Sequence, residues 1–240
     1  MPDGGASGFV ELLLFLERYS LSGVIQDNKP FGTLLRSLYK RHYGLLIWHA
    51  DLEKGEIWKD NIEKNAAFRP YLKETASDVS QSILLFAQGL YKPAYLMLRS
   101  AVENFVKCIG IAEDQEVLSL KSAFDLMAIV RDAPAVKRSA NLGALFGRLR
   151  RIYKELCGYV HSSEHQYLSL TSYIGVYPKF HSEQASKYAK MCRDVLASIC
   201  GALTLLFPSR FRELHHRDAD LIGDILPKQV KHEVHANVAQ

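Results

Sequence analysis

Cysteine, glycine-rich loops, long apolar runs and charge of one sign are all scarce in this chain, and each shortage removes a class of protein. Only four cysteines occur in 240 residues, Cys108, Cys157, Cys192 and Cys200, and none forms a CxxC pair. A disulfide framework and a zinc ribbon are thereby excluded. Each cysteine sits in an apolar helical context, which predicts small buried hydrophobes of a reducing compartment. No G-x-G-x-x-G and no Walker A sequence is present, so the usual phosphate-cradling loops are missing.

The longest uncharged apolar run, residues 195–207, falls short of the roughly 20 residues needed to span a bilayer. The apolar stretch at residues 12–16 is short and follows acidic Asp3 and Glu11, unlike the basic start of a secretory signal. The expectation is a soluble, cytoplasmic protein that does not engage membranes. Thirty Lys+Arg against 26 Asp+Glu leave a net charge of only +4. That excludes nucleic-acid binding by bulk charge alone but leaves room for a local basic surface.

What the sequence does contain is helical periodicity. With 48% hydrophobic and 23% charged residues, the composition is that of an ordinary globular protein. Apolar spacing predicts helices over residues 8–25, 31–54, 71–90, 93–109, 113–130, 142–160 and 182–207. A short helix or loop near 57–68 leads to Pro70, Gly110 reads as a C-cap, and Asn141 reads as an N-cap. Residues 166–177, β-branched and aromatic, predict a short strand or extended segment. The fold expectation is all-α, a bundle of long antiparallel helices in one domain over residues 1–226. Within it 1–69 is an N-terminal extension, and 227–240 form a flexible tail.

Two helices carry polar residues on otherwise apolar frames. Arg99 and Glu103 are four apart and stand one above the other. In the later helix, Tyr153 and His161 fall on the apolar stripe, set apart from the basic flank of Arg148, Arg151 and Lys154. An ion pair on a solvated face and a hydrogen-bonded histidine at a helix end are the competing, purely structural readings.

The combination of G-L-Y-K-P-A and L-R-S-A-V-E (residues 89–94 and 98–103) with Y-K-E-L-C-G-Y-V-H (153–161) resembles bacterial helical proteins near the HEPN superfamily. Many of these belong to abortive-infection and phage-defence systems. The resemblance covers residues 79–165. It implies a helical bundle, a homodimer, a partner protein of a defence system, and metal-independent cleavage of RNA with no cofactor. In such a site His moves protons and Arg stabilises phosphate charge. Carried onto this sequence, the site residues are His161, Arg99, Glu103 and Tyr153, with Arg148, Arg151 and Lys154 meeting RNA. The family motif is an Arg, four to six intervening residues, then the His. Here the residues before His161 are Lys154, Glu155 and Leu156, so Arg99 of the partner helix would have to supply the cation.

Two other pairs fit that spacing, Arg36 with His42 and Arg210 with His215. On a helix the first pair lies about 120° apart, which is poor for convergence. The H-x-x-E-H run from His161 to His165 matches a zinc peptidase pattern formally, but it trails into Ser-Ser and has no downstream carboxylate ligand in support. The His216-Arg217-Asp218 tripeptide has no accompanying kinase motif. Three readings follow: an RNA-cleaving or RNA-binding HEPN-like protein, a non-catalytic helical module of a defence or toxin system, and a metal-dependent hydrolase.

Overall fold

The computed structural model describes residues 8–10, 13–14, 28–54, 57–58, 61–161 and 180–236, and among them it contains helices and no strand. The long helices are α1 (Lys29–Lys54), α2 (Ile62–Ala87), α3 (Tyr91–Glu113), α6 (Ala140–His161) and α7 (Ser182–Leu206). Shorter ones fill the ends: a 3-10 turn (Gln115–Ser119), α4 (Ala123–Asp132), α5 (Pro134–Arg138), α8 (Pro208–Glu213), α9 (His216–Ile225) and α10 (Lys228–Ala236). The segment 166–177 and most of the expected first helix lie outside the described residues, although residues 8–10 and 13–14 are helical.

Side-chain pairings give the directions. Phe31 meets Phe86 while His42 meets Ser80, so α1 and α2 are antiparallel. Arg99 meets Tyr153 and Tyr95 stacks on Tyr159, so α3 and α6 are antiparallel. Glu155 pairs with Lys187, and Leu145 lies against Gly201, which makes α6 and α7 antiparallel too. The α2–α3 turn is tight. Gly89 adopts φ 72°, its N–H bonds the Phe86 carbonyl at 2.9 Å, and the Leu90 N–H bonds the Leu85 carbonyl at 2.9 Å. This pair of bonds closes a helix through a left-handed residue, a conformation that costs glycine nothing.

At the centre, Tyr188 of α7 is fully buried. Its ring stacks on Phe86 at 4.6 Å and meets Tyr95 edge-on at 5.5 Å. Its hydroxyl lies 2.6 Å from Ser82 Oγ, and Ser82 in turn donates to the Ala94 carbonyl at 2.6 Å. A serine hydroxyl has one proton, so Tyr188 must be the donor to Ser82. Burial raises the Tyr188 phenol far above its usual range, which keeps that proton in place.

Several local expectations are corrected. Pro70 does not end a helix; α2 runs through it, with Phe68 and Leu72 buried and Pro70 on the exposed side. Its missing N–H costs least where water can take the freed carbonyl. Helix α3 continues past Gly110 to Glu113, because Gly110 is buried against Val117, and a Cβ there would sit 3.0 Å from both Val117 methyls. The expected 113–130 helix is divided into the 3-10 turn and α4, which Ser122 caps by accepting from the Asp125 N–H at 3.3 Å. Ser139, not Asn141, caps α6, accepting from the Leu142 N–H at 3.1 Å. Asn141 instead donates to Glu233 at 2.6 Å. That contact and buried Val230 dock α10 onto the bundle, so residues 228–236 are a packed helix and not a loose tail.

Ser82→Ala removes the oxygen acceptor of the buried Tyr188 hydroxyl, leaving it only the weaker sulfur of Cys192, and is expected to cost about 1–3 kcal/mol. Tyr188→Phe in the same background should recover part of that loss. Urea midpoints of the four proteins of the cycle check this.

Candidate functional site

The expected cluster assembles in part. Arg99 Nη2 donates to Tyr153 Oη at 2.8 Å, and Tyr153 Oη donates to Glu103 Oε2 at 3.1 Å. Arg99 and Glu103 are 3.7 Å apart as an ion pair, each about 28% exposed. The guanidinium carbon lies 5.0 Å from the Tyr153 ring centre. Arg99 Nε donates to Cys157 Sγ at 3.3 Å. Cys157, expected to be a buried hydrophobe, is a half-buried member of the cluster. Its spacing, four residues after Tyr153 on the same helix, was the available signal.

Burial raises the Tyr153 phenol, the Glu103 charge raises it further, and the Arg99 charge opposes both. Tyr153 is therefore a protonated donor at neutral pH. For Arg99, burial works against the charge, but the contacts with Cys157 and Tyr153 outweigh it and the net shift is upward. Arg99 thus meets three side chains on two helices through Nε and Nη2. Such an arrangement braces α3 against α6 and commits Nε and Nη2 of Arg99 to that junction.

His161 does not join. It is exposed at the last residue of α6 and makes no hydrogen bond or ion pair among the described residues. The expectation that it points inward is corrected. Eight residues beyond Tyr153, it is turned about 80° from it at 100° per residue. Tyr159 occupies the inward place instead, stacked 3.9 Å from Tyr95.

The other Arg–His pairs are also separate. Arg36 is exposed and lies over the Phe9 ring at 4.7 Å, whereas His42 is buried with Nε2 2.9 Å from Ser80 Oγ. Arg210 makes two contacts with the Asp51 carboxylate, at 3.0 and 2.8 Å, and one with Glu213 at 3.1 Å, which ties α8 to α1. His215 is exposed and its ring faces that of His216 at 4.2 Å. His165 lies outside the described residues. Among the described residues no group of three His, Cys, Asp or Glu side chains could hold a metal ion.

What α6 offers outward is a basic face. Arg150, Arg151, Lys154 and His161 are exposed and Arg148 is half-buried; none has an ion-pair partner among the described residues. Arg150, Lys154 and His161 follow one another at four and seven residues, nearly in line along the helix over about 16 Å. Arg150 is thus part of the face that Arg151 and Lys154 were expected to form. Three thiols are withdrawn from any chemistry: burial raises Cys108 and pushes Cys192 and Cys200 up to about 12.

No family model, no curated protein and no solved structure matches the chain significantly. Among the described residues no helix is long and apolar enough to cross a membrane.

Two outcomes are expected. A brace predicts coupling between its members, so a double-mutant cycle of Arg99→Met and Tyr153→Phe in urea should show about 1 kcal/mol of interaction. Additive losses would show that the two side chains do not work together. For His42, burial depresses the ring from 6.5 to about 4. The unfolded chain therefore takes up the proton first. Stability is fully present above pH 6.5 and declines as pH falls toward 4, by on the order of 3 kcal/mol at most. His42→Gln should flatten that part of the pH–stability curve.

Proposed function

We propose that this bundle is an RNA-binding helical module of HEPN-like type that holds RNA along the outer face of α6 without cutting it. The observation that carries this reading is a division of labour among the cations. Arg99 is engaged by Tyr153, Cys157 and Glu103, whereas Arg150, Arg151, Lys154 and His161 face solvent unpaired among the described residues. Catalysis by a His–Arg pair needs both groups within reach of one phosphate. Binding needs only a row of exposed cations on a rigid support. Arg150, Arg151 and Lys154 along one side of α6 supply that row, with the polar His161 beyond them, and α6 is anchored against α3 and α7 beneath it.

The reading is tested with fluorescein-labelled single-stranded RNA. The chain should bind it with an affinity that falls steeply with salt, the logarithmic slope being about −2 to −3 for three or four phosphate contacts. The triple variant Arg150→Glu, Arg151→Glu, Lys154→Glu should lose tenfold or more at low salt. The RNA should stay intact in the presence and absence of a chelator. Chelator-resistant cleavage that disappears with His161→Ala would overturn the non-catalytic part, and unchanged binding by the triple variant would overturn the site.

A further inference from the structure

The opposite chemistry gathers at the end of the bundle where α3 finishes. There the 3-10 turn, α4 and α5 fold back across the C-terminal turn of α3 and enclose an open cavity of about 460 Å³. Its floor is apolar, from Gly110, Val117, Val130 and Ala133, and Ile129 forms part of its wall. The charged residues that line it are Glu113, Asp114 and Asp132, all acidic.

On the far side of α5 a second cavity of about 310 Å³ lies among Trp58, Leu142, Leu206 and Phe207, and it too is bounded by Glu113. The two recesses share Glu113 in their linings, and Arg138 also lines the second; the first is an open groove across the end of α3. Beside this groove the protein leaves large apolar side chains in water: Phe124 is 81% exposed, Ile129 49% and Leu118 38%. Helix α4 buries only Leu126, Met127 and Val130, so much of its surface is left uncovered among the described residues.

We propose that this groove is a docking site for an amphipathic helix of another protein, one with an apolar stripe flanked by Lys or Arg. The open apolar recess and its exposed flanks fit the row of i, i+3, i+4 and i+7 side chains that such a helix presents. The carboxylate rim selects the charge. The local cations pair with it from exposed positions. Arg131 and Lys137 contact Asp132 at 2.7 and 3.2 Å from exposed positions, and Arg138, itself 75% exposed, only reaches Glu113 at 3.9 Å. Lys64 donates to the Ala112 carbonyl and lies near Glu113 and Asp114. Exposed pairs of this kind contribute little and exchange readily for an incoming cation that arrives with apolar burial. The site is separate from the basic face of α6 and does not rest on the RNA reading.

The test uses the full chain and a designed, labelled helix of about 14 residues, four turns long, with Leu on one stripe and Lys elsewhere. Its twin carries Glu in place of Lys. Because the whole chain has a net charge of +4, long-range electrostatics oppose the Lys peptide, and its capture demands the local carboxylates. The Lys peptide is expected to bind saturably by fluorescence anisotropy, at least about tenfold more tightly than its twin. It should slow hydrogen exchange in α4 and α5. Ile129→Asp, at an exposed position that leaves the core intact, should weaken it about tenfold or more, and Glu113→Gln with Asp132→Asn should narrow the gap between the twins. Equal binding of the two peptides, protection located elsewhere, or indifference to Ile129→Asp would overturn the proposal. So would a chain that sediments as a dimer dissociated by Ile129→Asp, since a second copy would then be the occupant.

Discussion

The buried phenol of Tyr188 is the constraint around which the helices are arranged. A hydroxyl removed from water has to find a partner or cost the fold more than a typical hydrogen bond contributes. Its partner is Ser82, whose own proton goes to the Ala94 carbonyl. One hydrogen-bonded line therefore joins α7, α2 and α3 and sets how α7 is turned against the α2–α3 hairpin. The apolar contacts around it would tolerate several rotations of a smooth helix. The polar line tolerates one, and Phe86 and Tyr95 close on the Tyr188 ring in that arrangement.

A second polar junction acts in the same way between α3 and α6. Arg99, Glu103, Tyr153 and Cys157 meet halfway between core and solvent, where charge-assisted hydrogen bonds keep useful strength without full desolvation. Because these residues satisfy one another, the junction resembles a clamp more than a reaction centre. The consequence for function is indirect but definite. Holding α6 by its inner polar residues leaves its outer basic residues free of partners among those described, displayed on a backbone that is fixed in place.

The molecule is in this sense polarised. Cations unpaired among the described residues stand along the outside of α6, while carboxylates line the groove around α4 and α5, where Glu113 and Asp132 are paired with exposed cations. The small net charge conceals this separation, because a sum over the chain carries no information on position. Gly110 lets Val117 of the 3-10 turn approach the α3 backbone where the chain folds back after α3.

Much of the architecture was legible in the sequence. The 3.6-residue spacing located the long helices, and the Gly89-Leu90 and Pro93 signals marked the hairpin turn, because these depend on local backbone chemistry. The Arg99–Glu103 pair and the inward phase of Tyr153 were legible for the same reason. What local pattern could not decide was which residues meet across helices. Cys157 joined the cluster, and His161 left it, through the way α6 lies on α3. Asn141 gave up the cap to Ser139 because Glu233, some 92 residues away, took its amide. Pro70 stayed within a helix because Phe68 and Leu72 had a core to enter. Sequence alone determined the helices and their inward stripes, since both follow from bonds and contacts within a few residues. Tertiary structure decided the partners of each polar group, since that depends on side chains brought together from distant positions.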